Sequence, residues 1–173
     1  MSDILEPTRP AAIPGDQARA SVSLKVPPAL AFEIFTAEID QWWRRGLRYR
    51  IARDGRGILH LEPGVGGRLF ESFELHGRTK VIETGRITAW EPPARLCFEW
   101  RAVNFKPDEK TEVEVEFTAT ATGTMVTVTH RGWAAIRPDH PARHHLEAAP
   151  FLAMMGRWWG DLLSSLRLYA RPS

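Results

Sequence analysis

The chain has 173 residues and a mass of 19.6 kDa, a length that suits one domain rather than two. Its 23 Lys and Arg residues nearly balance its 21 Asp and Glu residues, and the net charge of +2 excludes a broad basic surface for nucleic acid. No apolar run approaches the roughly 18 residues that a transmembrane helix needs, and a single cysteine, Cys97, excludes an internal disulfide.

Residues 1–18 are predicted to form a flexible arm, because prolines interrupt them and their apolar residues show no periodicity. Acidic residues and prolines stand where a secretory signal peptide would carry a basic segment and an apolar run. Together with the single cysteine, this pattern favours a cytoplasmic protein with a reduced thiol. Residues 19–173 are predicted to form one domain.

The first regular element after the arm is predicted to be a half-buried strand, because Val22, Leu24 and Val26 alternate with polar residues. A proline pair ends this strand. The next segment, ALAFEIFT, has Leu30 and Ile34 at helical spacing, and a proline suits the first turn of a helix. We therefore expect a strand followed by a short helix.

A second short helix with the sequence AEIDQWW is expected next, with Ile39 and either Trp42 or Trp43 on its apolar side. A cluster of arginines follows it: Arg44, Arg45, Arg48, Arg50, Arg53 and Arg56. Such a cluster is typical of a solvated face, but it also suits an anion site or a surface for an acidic protein partner. The candidates for a partner surface are Arg44, Arg45 and Arg48.

Six further strands are expected in the middle of the chain, joined by turns that contain glycine or proline. They lie in the segments GRGILHLEPGVGGRLFESFELHG, TKVIETGRITAWEPPARLCFEWR, TEVEVEFTAT and TMVTVTHRGW. The strand TEVEVEFTAT is expected to direct its Val and Phe residues inward and its glutamates, Glu114 among them, toward water. Runs of strands with segregated helices indicate an antiparallel α+β fold.

Two polar side chains in these strands are candidates for inward positions. His130 follows two valines on one face, and it is either a core histidine with satisfied hydrogen bonds or a contact for a ligand or proton. The phase of the strand that holds Glu71 stays open, because phenylalanines occur on both of its faces. If Glu71 points inward, it needs a partner such as Arg86 or Arg101.

A long amphipathic helix ends the sequence, and Pro150 suits its first turn. Apolar residues recur along it at intervals of three or four: Leu152, Met155, Trp159, Leu162 and Leu166. Further apolar residues, including Met154, widen this stripe, which predicts a helix laid in a concave surface. Neighbours on a helix point about 100° apart, so Trp158 and Trp159 cannot both face inward, and one is expected at the surface or at a cavity rim.

Neither a metal nor a cofactor is expected. His140, His144 and His145 have a spacing that could place two imidazoles on one helix face, but Pro141 disturbs such a helix and the metalloprotease glutamate is missing. Cys97 has no general base near it in the sequence, which favours a structural thiol over a nucleophile.

Five segments in the same order resemble the START-like, or SRPBCC, superfamily, and above all its branch of activator of heat-shock-protein-90 ATPase homologues. They are VPPALAFEIFTAEIDQWW, GGRLFESFELHG, GRITAWEPPARLCFEWR, TMVTVTHRGW and GRWWGDLLSSLRLYA. The resemblance implies an α+β helix-grip fold of the START-like, Bet v 1-like type. Such a fold has a curved seven-stranded antiparallel sheet, two short helices and a long C-terminal helix over a hydrophobic cavity. The Pro- and His-rich segment 134–149 and the N-terminal arm depart from the family pattern.

We therefore predict that a small hydrophobic ligand, lipid-like or aromatic and polyketide-like, binds between the sheet and the C-terminal helix. The candidate contacts are Trp42, Phe73, Trp100, Val115, Val128, His130, Met155 and Trp159, with His130 as the polar contact. Two alternatives stay open. One is a module for a protein partner, as the name of the branch implies, and the other is a cyclase or aromatase that uses His130 or Glu71 for proton transfer. A homodimer is left open as well.

Overall fold

The computed structural model describes residues 15–102 and 104–172. Its strands are β1 (Ala18–Leu24), β2 (Ile58–Leu61), β3 (Arg68–Leu75), β4 (Arg78–Glu91), β5 (Arg95–Trp100), β6 (Thr111–Thr120) and β7 (Gly123–Arg131). Its α-helices are α1 (Pro28–Ala37), α2 (Ile39–Trp42) and α3 (Ala148–Tyr169). Two short 3-10 turns, Trp133–Ala135 and Pro141–Arg143, lie between β7 and α3.

The strands form one sheet in the order β1-β7-β6-β5-β4-β3-β2, and every neighbouring pair is antiparallel. The sheet curls into a half-barrel around α3, and α1 and α2 connect its two edge strands. Each strand and each of the three helices expected from the sequence is present. The structure therefore confirms the α+β helix-grip fold.

The inner face of the sheet carries the main hydrophobic core. Val113 and Val115 of β6 are completely buried, as their alternation with glutamates predicted. Leu96 and Phe98 of β5 lie opposite them in register and are buried to the same degree. Burial of each large apolar side chain contributes roughly 1.5–3 kcal/mol, so this face is the main source of stability.

Two expectations about individual side chains were wrong. Leu30 of α1 is 40% exposed, because the helix turns the face with Phe32 and Phe35 toward the sheet instead. Glu114 lies on the outer face of β6 but is only 6% exposed, because Arg95 and Arg131 cover it and pair with its carboxylate. Burial alone would raise the pKa of Glu114, but these two guanidinium groups outweigh burial and lower it.

The second half of α3 closes tightly against the sheet. Leu162, Leu163 and Leu166 are at most 1% exposed. The Ser165 hydroxyl donates a hydrogen bond to the Trp42 carbonyl oxygen at 2.6 Å and thereby ties the helix to α2. Pro150 lies in the first turn of α3, as expected.

The predicted arm joins the domain just before β1. Residues 1–14 lie outside the described residues. The Trp133 N–H donates to the Asp16 carbonyl oxygen at 3.1 Å, and the Asp16 carboxylate accepts from the Gly132 N–H at 3.2 Å. β1 then begins at Ala18. None of the described helices is long and apolar enough to cross a lipid bilayer.

Candidate functional site

A cleft lies beside the first half of α3, where the helix passes the ends of β5 and β7. It consists of a larger cavity of about 1060 Å³ and a smaller cavity of about 190 Å³. Five residues line both cavities and mark where they meet: Leu47, Arg48, Trp100, Ala102 and Trp158. This cleft therefore lies at one end of the helix.

Large apolar side chains form much of the wall of the cleft. Trp133, Met154 and Met155 line the larger cavity together with Trp100 and Trp158. The rings of Trp100 and Trp158 meet edge to face with centroids 6.0 Å apart. Such contacts hold broad apolar surfaces in fixed positions, whereas the two methionines are adaptable in shape.

The loop between α2 and β2 forms the outer wall, and Arg50 holds it together. Arg50 is 4% exposed, pairs with Asp40, and donates to the carbonyl oxygens of Trp43 at 2.7 Å and Gly57 at 3.0 Å. Burial alone would raise the pKa of Asp40, but the hydrogen bonds from the Leu59 N–H and from Arg50 outweigh burial and lower it. Arg50 is thus a structural residue and not part of a solvated face.

The three arginines considered for a partner surface have different surroundings. Arg45 donates to the Gly57 carbonyl oxygen at 2.9 Å, and Arg44 donates to the Asp161 carbonyl oxygen at 3.1 Å. The exposed side chain of Arg48 makes no hydrogen bond or ion pair within residues 15–102 and 104–172, and it lines both cavities. Of the three, Arg48 therefore has its donors available at the cleft.

Glu71 faces the smaller cavity and is 2% exposed, so its strand has the inward phase that the sequence left open. Its carboxylate accepts hydrogen bonds from the backbone N–H groups of Ile51 at 2.8 Å and Ala52 at 2.7 Å. Neither Arg86 nor Arg101, which we expected as partners, fills this role. Two N–H groups of the α2–β2 loop compensate the buried carboxylate instead.

His130 lies in the core beneath the cleft and is completely buried. The Trp159 indole N–H donates to Nδ1 at 3.1 Å, and Nε2 lies 2.7 Å from Thr111 Oγ1. The Thr111 hydroxyl donates in turn to the Trp100 carbonyl oxygen at 3.1 Å. These partners assign the hydrogen to Nε2 of a neutral ring, and burial lowers the pKa of His130 to about 3.

Charged side chains lie at the margin of the larger cavity, namely Arg48, Arg157 and Asp161. Arg157, like Arg48, is exposed and makes no hydrogen bond or ion pair within the described part of the chain. The Trp158 indole N–H donates to the Arg48 carbonyl oxygen at 2.9 Å, which fixes the backbone of Arg48 against α3. The Tyr49 hydroxyl lies 3.5 Å from Asp161 Oδ2 and donates to it.

The eight predicted ligand contacts separate into two groups. Trp100 and Met155 line the cleft. The other six line neither of its two cavities: Trp42, Val115, Val128, His130 and Trp159 are at most 1% exposed in the core, and Phe73 is half-buried on β3. A role for these six in binding stays a prediction.

Several residues of the cleft were not predicted as ligand contacts. Trp158 is half-buried at the cavity rim while Trp159 is fully buried, which confirms that the pair points in two directions. Neighbouring residues on a helix point about 100° apart, so the sequence indicated that Trp158 and Trp159 would face different surroundings. It did not indicate which of the two would face the cleft. Leu47 and Tyr49 lie in the α2–β2 loop, where no periodicity of apolar residues could identify them.

The remaining candidates for chemistry are structural in this arrangement. His140 is 1% exposed, its Nδ1 accepts from the Ala142 N–H at 3.0 Å, and its Nε2 lies 3.2 Å from Glu109 Oε2. No three His, Cys, Asp or Glu side chains among the described residues form a group that could hold a metal ion. Burial raises the pKa of Cys97 to about 11, which keeps this thiol protonated at neutral pH.

Comparison with known proteins gave one family match and many structural matches. A family model described as Activator of Hsp90 ATPase homolog 1-like protein matches residues 25–167. The search among curated proteins found no match. The similar solved structures include protein NE0264 from Nitrosomonas europaea, which is 15% identical with a TM-score of 0.60; the alignment covers 91% of this chain and 95% of that one.

Two further solved structures are similar in fold. The Aha1 dimer from Colwellia psychrerythraea is 17% identical with a TM-score of 0.55, and the alignment covers 87% of this chain and 92% of that one. DynU16, a protein in the dynemicin biosynthetic locus, is 21% identical with a TM-score of 0.59. That alignment covers 89% of this chain and 46% of DynU16, so the chain spans about half of that protein. These similarities concern the fold.

Proposed function

We propose that this chain, which belongs to the family of Activator of Hsp90 ATPase homolog 1-like proteins, binds a small apolar molecule in the cleft beside the first half of α3. The observation that carries the proposal is the larger cavity of about 1060 Å³, whose walls include three tryptophans and two methionines. This volume lies slightly above the roughly 300–1,000 Å³ that is usual for small-molecule sites.

Burial of apolar ligand surface would drive binding. Each 100 Å² removed from water contributes roughly 2.5 kcal/mol, and the edge-to-face contact of Trp100 and Trp158 means that little ordering of the walls is needed. Met154 and Met155 would adapt to the shape of the ligand. One structural relative comes from a biosynthetic locus, which agrees with a small-molecule ligand.

The contacts of the polar residues support binding over catalysis. His130 has both ring nitrogens engaged and no exposed surface, and both carboxylate oxygens of Glu71 accept backbone hydrogen bonds. A surface for a protein partner has less support, because Arg44 and Arg45 donate to carbonyl oxygens of the same chain.

The test is titration with the neutral fluorescent probe phenylnaphthylamine, whose emission rises in apolar surroundings. We expect saturable binding to the wild-type protein. Met155→Arg places a charged and longer side chain in the wall of the larger cavity, so its Kd should rise by at least about tenfold, or about 1.4 kcal/mol.

Met125→Arg is the matched control, because Met125 is half-buried on β7 with its side chain near Ser23 and lines neither cavity. Its Kd should stay within about twofold of the wild-type value. Equal binding by the wild type and Met155→Arg, with both proteins folded by circular dichroism, would contradict the proposed site.

A further inference from the structure

The two unpaired arginines at the cleft indicate the charge of its ligand. Arg48 comes from the α2–β2 loop and Arg157 from α3, and both line the larger cavity. Neither side chain makes a hydrogen bond or an ion pair within the described residues. A guanidinium group offers five donors and keeps its charge at every physiological pH, so these two residues bring charged donors that the described residues do not use to the lining of the cavity.

A hydrogen bond connects the two segments that carry these arginines. The Trp158 indole N–H donates to the Arg48 carbonyl oxygen at 2.9 Å, and Arg157 is the preceding residue of α3. Both arginines therefore belong to one local arrangement beside the ring of Trp158. That ring lines both cavities and supplies apolar surface next to the charged groups.

The other charged groups around the larger cavity do not cancel this charge. Asp161 is the acidic residue in its lining, and its carboxylate accepts from the Tyr49 hydroxyl at 3.5 Å. Among the Arg and Asp side chains of this lining, two guanidinium groups and one carboxylate leave an excess of one positive charge. In the smaller cavity, Glu71 is compensated by backbone N–H groups and Glu83 pairs with Arg86.

We infer that the ligand is an amphipathic acid, with an apolar body against the tryptophans and a singly charged anionic group, of the carboxylate type, between Arg48 and Arg157. This inference rests on the proposed function and adds the chemical class of the ligand. Arginine suits this role because its planar fork matches the two oxygens of a carboxylate. The excess of one positive charge among the Arg and Asp side chains of the lining favours a monoanion over a more highly charged group.

The experiment compares three probes that share one apolar body: naphthoate, naphthylmethanol and naphthylmethylammonium. Isothermal titration calorimetry near neutral pH and at low salt should rank their affinities as acid, alcohol and ammonium. The acid should bind about tenfold tighter than the alcohol. Added salt should weaken binding of the acid and leave that of the alcohol unchanged.

The double variant Arg48→Met/Arg157→Met keeps two long apolar side chains at the cleft and removes both charges. It should bind the acid and the alcohol with Kd values within about twofold of each other. Arg53→Met is the matched control, because Arg53 is exposed in the same loop and lines neither cavity. It should keep the full preference for the acid.

The outcomes separate the inference from the proposed function. If the acid and the alcohol bind the wild type equally, the anionic ligand class is wrong and the apolar site stands. A preference for the acid that persists in the double variant also overturns the role of these arginines. If none of the three probes binds, the proposed function itself fails.

Discussion

The two halves of α3 meet the rest of the molecule in different ways. In the second half, Leu162 and Leu166 are completely buried, and neither lines the cleft. In the first half, Met154 and Met155 are only partly covered and line a large cavity. The change occurs between Trp158 at the cavity rim and Trp159 in the core.

This difference shows how one helix can serve both stability and binding. The inner face of the sheet supplies enough apolar surface to close over the second half of α3. Beside the first half, the wall of the cleft includes residues of the α2–β2 loop, such as Leu47 and Arg48, and of the 3-10 turn Pro141–Arg143. The cleft therefore lies where surface loops and turns, rather than the apolar inner face of the sheet, form much of the wall.

Substitution of the adjacent tryptophans Trp158 and Trp159 is the strongest test of this difference between the two halves of α3. Trp159→Ala removes a fully buried ring and the hydrogen bond to His130, so it should lower the free energy of unfolding by about 3–5 kcal/mol. Trp158→Ala should lower it by about 1 kcal/mol, because this ring is partly exposed at the rim. Urea unfolding followed by circular dichroism measures both.

The two tryptophan substitutions should affect ligand binding in the opposite order from stability, with Trp158→Ala having the larger effect. Trp158→Ala should weaken phenylnaphthylamine binding by about tenfold or more, because it removes a wall shared by both cavities. If Trp158→Ala destabilised the protein as much as Trp159→Ala, the distinction between a closed half and an open half would be wrong.

Replacement of Arg50 tests how the wall of the cleft is held. Arg50→Met should lower the free energy of unfolding by about 3 kcal/mol, because it removes the buried cation that pairs with Asp40 and donates to the Trp43 and Gly57 carbonyl oxygens, although the Leu59 N–H and Arg45 still donate to Asp40 and Gly57. Arg53→Met, an exposed position in the same loop, should change it by less than about 0.5 kcal/mol. Equal losses in the two variants would show that the network around Arg50 does not hold the loop.

The pH dependence of the free energy of unfolding tests whether His130 lies in a closed core. Its expected effect is smaller than the effects of the substitutions above. The unfolded chain protonates His130 near pH 6.5, whereas burial lowers the pKa in the folded protein to about 3. The unfolded state therefore binds the extra proton as the pH falls below about 6.5, and stability decreases. From about pH 6 to 4.5 the unfolding equilibrium constant should rise by nearly tenfold per pH unit.

His130→Gln removes the titrating ring. It should therefore reduce the pH dependence of the unfolding equilibrium constant between about pH 6 and 4.5, regardless of its effect on stability at pH 7. His144→Gln, at an exposed position, should keep the wild-type slope. The lowered pKa values of Asp40 and Glu114 also make stability decrease as the pH falls toward and below their unfolded values of 3.8 and 4.5, so these carboxylates add to the slope mainly at the acidic end of this window, in His130→Gln as in the wild type. A wild-type profile that is flat between pH 6 and 4.5 would contradict a sealed His130.

The sequence predicted the fold well because alternation and helical spacing report which residues are buried. The strands of Val113, Val128 and Leu96 and the stripe on α3 follow these periods directly. Fewer of the residues that line the cleft were predicted, because inward-facing residues were assumed to line a cavity along the whole helix. His130 and Trp159 do point inward, but their partners fill the space around them.

The walls of the cleft depend on contacts that no periodic pattern of residues in the sequence indicates. Arg50 donates to carbonyl oxygens, and Glu71 accepts from the N–H groups of Ile51 and Ala52. Any residue has such backbone groups, so the sequence of the loop does not reveal which of them will face a buried charge. The same reason explains why Arg86 and Arg101 were wrong as partners of Glu71.

Gly57 shows a consequence of this arrangement for attempts to engineer the protein. Its backbone is not in the left-handed region, so replacement by alanine looks like a routine way to reduce the entropy of the unfolded chain. A methyl group there, however, would overlap the carboxylate of Glu71 and lie 2.9 Å from the Ala52 methyl group. The absence of a side chain at this one position is what lets the acid reach its two donors, and a conventional stabilising substitution would therefore weaken the protein.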